Sequence, residues 1–143
     1  MIKHLCILFL FVITTNCSRS SVDNENCRFL LNIPVNFSIN LNLPQFSQLQ
    51  FGGNSVYIAN EGNGGVIVAF TGANYFAWDA RDPNVAQSNC TILVPTGLNA
   101  ATTCANKNEY SLVTGRSTNN TELTCGLRNY RVEVSGSSLR IFF

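Results

Sequence analysis

The sequence predicts an all-β domain, an antiparallel sandwich or small barrel, and three observations point there. Val35, Phe37, Ile39, Leu41 and Leu43 alternate with Asn36, Ser38, Asn40 and Asn42, the period-2 pattern of a strand with one buried face. Short apolar or β-branched runs recur through the rest of the chain, too short for helices. The breaks between them are rich in glycine and asparagine, which tolerate the positive φ of tight turns. No stretch carries a 3.6-residue period, and neither an internal repeat nor a second-domain boundary is visible. A chain of 143 residues is long enough to bury a single core.

The N-terminus reads differently from the body. Met1 to His4 form a short basic start, followed by an unbroken apolar run from Leu5 to Ile13. Nine helical residues rise about 14 Å, well short of the roughly 30 Å hydrocarbon core of a bilayer. The pattern is that of an export signal rather than a span. Thr14-Thr15-Asn16-Cys17 resembles the lipobox of bacterial lipoproteins, in which the cysteine becomes the acylated N-terminus. It departs from that pattern at Thr14 and Asn16, where Leu and a small Gly or Ala are usual. The expected organisation is a signal peptide over residues 1–16, a polar tether from lipid-bearing Cys17 over 17–32, and a β domain over 33–143. The expected location is the periplasmic or outer-surface side of a bacterial membrane, held by the lipid.

Within the domain, the first strand lies between Pro34 and Pro44. Further strands are expected over Ser55 to Ala59, Val66 to Phe70, Tyr75 to Trp78, Thr91 to Val94, Tyr110 to Val113, Tyr130 to Val134 and Leu139 to Phe143. Gly62-Asn63-Gly64-Gly65 precedes a strand, not a helix, so it reads as a hairpin turn and not as a phosphate-binding loop. The aromatics fall mostly in strand runs and are expected in the core.

Charge excludes several functions. The nine Lys and Arg, less Lys3 in the signal, balance the eight Asp and Glu, which leaves no basic footprint for nucleic acid and no steering field for a charged partner. The single histidine is His4, inside the signal, so the mature chain has no imidazole to activate a nucleophile. Asp82, Lys107 and Glu109 read as solvated loop charges, and an enzyme is not expected.

Three stretches together resemble the Rieske family of small iron-sulfur domains, in particular its lipid-anchored bacterial members. They are Gly64-Gly65-Val66-Ile67-Val68 leading to Tyr75-Phe76-Ala77-Trp78-Asp79, then Glu109-Tyr110-Ser111-Leu112-Val113-Thr114-Gly115, then Leu127 to Val134 before a turn and a last strand. The likeness keeps the family's order over about two-thirds of the chain. It implies a Rieske-like sandwich or barrel whose two loops would each supply one Cys and one His to a [2Fe-2S] cluster. In the first loop the Cys position holds Asp82, and the His position falls on Asn84 or Val85. In the second, Cys104 is kept but the His position holds Lys107. The resemblance therefore implies degenerate cluster loops and no cofactor.

Cys27, Cys90, Cys104 and Cys125 remain after the signal and the lipid site. A cysteine-only [2Fe-2S] centre for electron transfer is the alternative, but gaps of 63, 14 and 21 residues lack the close pairs usual in such sets. In an oxidising compartment disulfides are the plainer reading, with three connectivities open. Cys90 and Cys104 bracket a segment that reads as a hairpin, so a bridge between them would tie the two loops together. The expectation is a lipid-anchored, non-redox structural or interaction module whose protein partner the sequence does not name.

Overall fold

The computed structural model describes residues 27–143; the expected export signal and Cys17 lie outside the described residues. Among the described residues nine strands form two antiparallel sheets. β1 (Asn36–Asn40), β2 (Asn54–Ile58), β3 (Val66–Phe70), β4 (Tyr75–Asp79), β8 (Asn129–Ser135) and β9 (Ser138–Phe142) make a curled six-stranded sheet in the order β1-β9-β8-β4-β3-β2. β5 (Val94–Thr96), β6 (Asn99–Ala101) and β7 (Glu109–Ser111) make a three-stranded sheet in chain order. The predicted all-β antiparallel class is the observed one.

β3 explains the layering. Val66-Ile67-Val68-Ala69 is wholly buried. Val66 and Val68 face a core inside the curl, with Val35, Ile39, Leu49 and Leu139. Ile67 and Ala69 face a second core beneath the small sheet, with Trp78, Leu93, Tyr110 and Leu112. A strand covered on both faces loses the apolar/polar alternation, hence the continuous run. β1 keeps it, because Ile39 points inward while Asn36, Ser38 and Asn40 are exposed.

Several boundaries differ from expectation: the strand expected over Tyr110 to Val113 is Glu109–Ser111, and two other differences have a plain local cause. The alternation from Val35 to Leu43 does not continue as one strand: the chain turns after Asn40, leaves Leu43 44% exposed and enters a 3-10 helix over Pro44–Gln50. Pro44 starts that helix because its ring presets φ and its missing N–H is not needed there. The run Thr91 to Val94 is split between a 3-10 turn over Asn89–Thr91 and the start of β5. Here a Ser88–Thr91 capping box overrides strand propensity. Among the described residues no helix is long and apolar enough to cross a membrane.

Candidate functional site: the paired loops

The loop after β4 and the loop before β7 meet at one end of the molecule. Asp82 sits at the turn of the first loop and is fully buried, which corrects its reading as a solvated charge. Burial follows from its partners. The Tyr110 hydroxyl donates to Oδ1 at 2.7 Å, the Asn108 amide donates to Oδ2 at 2.7 Å, and the Asn84 backbone N–H donates to Oδ1 at 2.9 Å. The backbone N–H of Asp82 is satisfied by the Thr91 carbonyl. Three donors on one carboxylate replace the water it gives up, as a buried acidic group requires.

Asn84 extends this network. Its Nδ2 donates to the Tyr110 hydroxyl and to the Cys125 carbonyl, both at 2.8 Å, while its Oδ1 accepts from the Cys125 N–H at 3.0 Å. One side chain thus grips the backbone of Cys125 from both sides. Cys125 is joined to Cys27 across 98 residues of sequence. Cys104, at the start of the second loop, is joined to Cys90 across 14. Lys107 is exposed and takes a positive φ of 42° in the turn closed by its N–H bond to the Cys104 carbonyl. Val85 is half-buried and Glu109 partly covered.

Burial and the Asp82 carboxylate together push the Tyr110 phenol well above its ordinary pKa. Sequence reasoning placed Tyr110 in the core but had no signal for its hydroxyl, because a strand pattern marks the ring and not its polar tip. Asn108 was missed for the same kind of reason, since a loop asparagine looks solvated until its partner is known.

A second buried pair stands at the end of β4. Asp79 Oδ2 accepts from the Tyr130 hydroxyl at 2.5 Å and from the backbone and side-chain nitrogens of Asn63, both at 2.9 Å. Its Oδ1 accepts from the Arg81 N–H. Burial, with Asp79 beside it, raises the Tyr130 pKa as well. Asn63 belongs to the glycine-rich turn, so that turn serves as a donor cradle within a hairpin.

Among the described residues no three His, Cys, Asp or Glu side chains converge as metal ligands would. A concavity of about 450 Å³ runs along β4 and β8 past Tyr75, Phe76, Arg131 and Phe142, and no residue of either loop lines it.

The two-sheet fold has solved counterparts. The ferredoxin of carbazole 1,9a-dioxygenase from Nocardioides aromaticivorans IC177 is similar over 76% of this chain and 96% of its own, with a TM-score of 0.50 and 18% identity. The complex of reduced oxygenase and oxidised ferredoxin in carbazole 1,9a-dioxygenase contributes a second match at a TM-score of 0.51 and 15% identity, over 76% of this chain and 93% of the other. The fold is Rieske-like. At these identities the likeness is one of fold. No known family profile matches the chain, and no curated protein sequence does.

Proposed function

We propose that this chain is a lipid-anchored envelope protein whose Rieske-like domain acts as a structural or interaction module, its paired loops held by disulfides and a buried hydrogen-bond network in place of an iron-sulfur cluster. One observation carries the reading. The Cys104 sulfur is bonded to Cys90, and the Asp82 carboxylate, at the other loop's thiol position, is occupied by Tyr110, Asn108 and Asn84. A [2Fe-2S] cluster needs four soft or imidazole donors free to bind iron. What the loops offer is a saturated carboxylate, the gripping amide of Asn84, the apolar Val85, a cationic Lys107 and a sulfur already in a bond. That donor set does not fit the group. Neighbouring ferredoxins support the fold but say nothing of these side chains.

The anchor part of the reading rests on the apolar run and Cys17, and the disulfides are in keeping with an exported chain. Iron and acid-labile sulfide content, with the visible spectrum of protein purified anaerobically, tests the module reading. A colourless, iron-free protein is expected. A red-brown, iron-replete one overturns it and favours electron transfer through a cysteine-held cluster.

A further inference from the structure

The N-terminal segment is not a free tether up to the first strand. Residues 27–32, expected within the tether, are fastened across the paired-loop end. Cys27 is bridged to Cys125, and Leu30 is buried. Leu31 donates its N–H to Asn63 Oδ1 at 2.7 Å, and its carbonyl accepts from Asn63 Nδ2 at 3.0 Å and from Arg128 Nη1 at 2.5 Å. Gln87, in the first loop, donates to the Phe29 carbonyl at 2.7 Å. The point at which the chain leaves the body is therefore fixed, and it lies at the loop end.

This strap turns apolar side chains outward. Phe29 is 37% exposed and Leu31 63% exposed, although their backbones are tied down. Phe143, 59% exposed, joins them through Arg128, whose guanidinium lies 5.6 Å from the Phe143 ring centre while also bonding the Leu31 carbonyl. Arg28 is exposed in the same strap. The charged groups acting on the Tyr130 phenol at this end are Asp79, which is buried and saturated, Arg128, and Glu61, which is partly covered. An aromatic and aliphatic cluster beside guanidinium groups suits the boundary between acyl chains and phosphate headgroups.

Chain length supplies the occupant. If Cys17 carries lipid, as proposed above, the ten residues to Cys27 reach at most about 35 Å, and about 17 Å on average as a flexible coil. A patch tethered that close to a bilayer meets it at high effective concentration, so weak interfacial contacts are enough. We propose that the paired-loop end faces the membrane, with Phe29, Leu31 and Phe143 entering the lipid interface beside Arg128.

The test places tryptophan at Leu31 or at Phe143, with Val134→Trp as the control. Val134 is 58% exposed and adjoins the β8–β9 turn, at the opposite end of β8 from the strap. The native Trp78 is buried. The acylated full chain is reconstituted into phosphatidylethanolamine and phosphatidylglycerol vesicles carrying brominated acyl chains. Emission from Leu31→Trp and Phe143→Trp is expected to fall roughly twofold relative to unbrominated vesicles, with Val134→Trp unchanged. Equal quenching at all three positions, or none at Leu31 and Phe143, overturns the membrane-facing surface and leaves the anchor standing. Intact mass read on the same sample separates the two readings, because an unacylated Cys17 overturns the anchor and this proposal with it.

Discussion

Asp82 is fully buried, so its stability rests on matching three donors to two oxygens. Replacing it by Asn keeps the shape but turns one acceptor into a donor, aimed at the donor amide of Asn108. Asp82→Asn is expected to destabilise the fold by about 2–3 kcal/mol, read as a lower urea midpoint, because a buried donor pair is left without an acceptor. Restoring polarity with Asp82→Asn and Asn108→Asp together should recover most of that loss. If the double variant is no better than the single, the pair does not carry the network. The tyrosines set the pH behaviour. Tyr110 and Tyr130 hold their protons above the ordinary value of 10.0, whereas the unfolded chain releases them near it. Stability is therefore intact below about pH 10 and falls as pH rises beyond it, since the unfolded state then binds fewer protons than the folded one. Urea midpoints measured from about pH 9 to 11 should drop steeply in the native chain and less so in Tyr110→Phe, taken relative to its own value at pH 9.

At the scale of elements, the loops are held by cross-links of unequal reach. Opening Cys90–Cys104 by Cys90→Ser with Cys104→Ser frees a short loop and should cost about 3 kcal/mol, and opening Cys27–Cys125 frees a long one and should cost nearer 4–5 kcal/mol. Denaturant curves of the two double variants check the order. The loop after β7 depends on Gly115, which has a φ of 70° and lies beneath the Trp78 ring, so that an added Cβ would meet the ring carbons at 2.5 and 2.7 Å. Gly115→Ala should lower stability by about 2–4 kcal/mol through left-handed strain and overpacking, and should shift the emission of Trp78. Much of this level was legible beforehand. The period-2 run in β1, the two-faced apolar run in β3 and the glycine turns follow from burial and φ alone. The 3-10 helix at Pro44 was not, because seven residues with two inward side chains show no period. The Asp82 network was not either, because its partners lie 26 and 28 residues away and only the fold brings them together.

For the whole molecule, two sheets and two cores present a pair of loops at one end, and the same end receives the N-terminal strap. The identities of Asp82, Asn84, Val85 and Lys107 could be read as departures from a cluster-binding pattern. The pairing of the cysteines could not, because four cysteines allow three pairings and sequence does not choose among them. Cys27–Cys125 makes the strap part of the body, and Cys90–Cys104 ties the second loop to the segment behind the first. The central claim is that the Cys104 sulfur belongs to a covalent staple and not to a metal centre. Proteolytic peptide mapping of the native chain, alkylated without reduction and analysed by mass spectrometry, tests it most directly. The account predicts linked peptides joining Cys90 to Cys104 and Cys27 to Cys125; freely alkylated Cys104 in folded protein would contradict it.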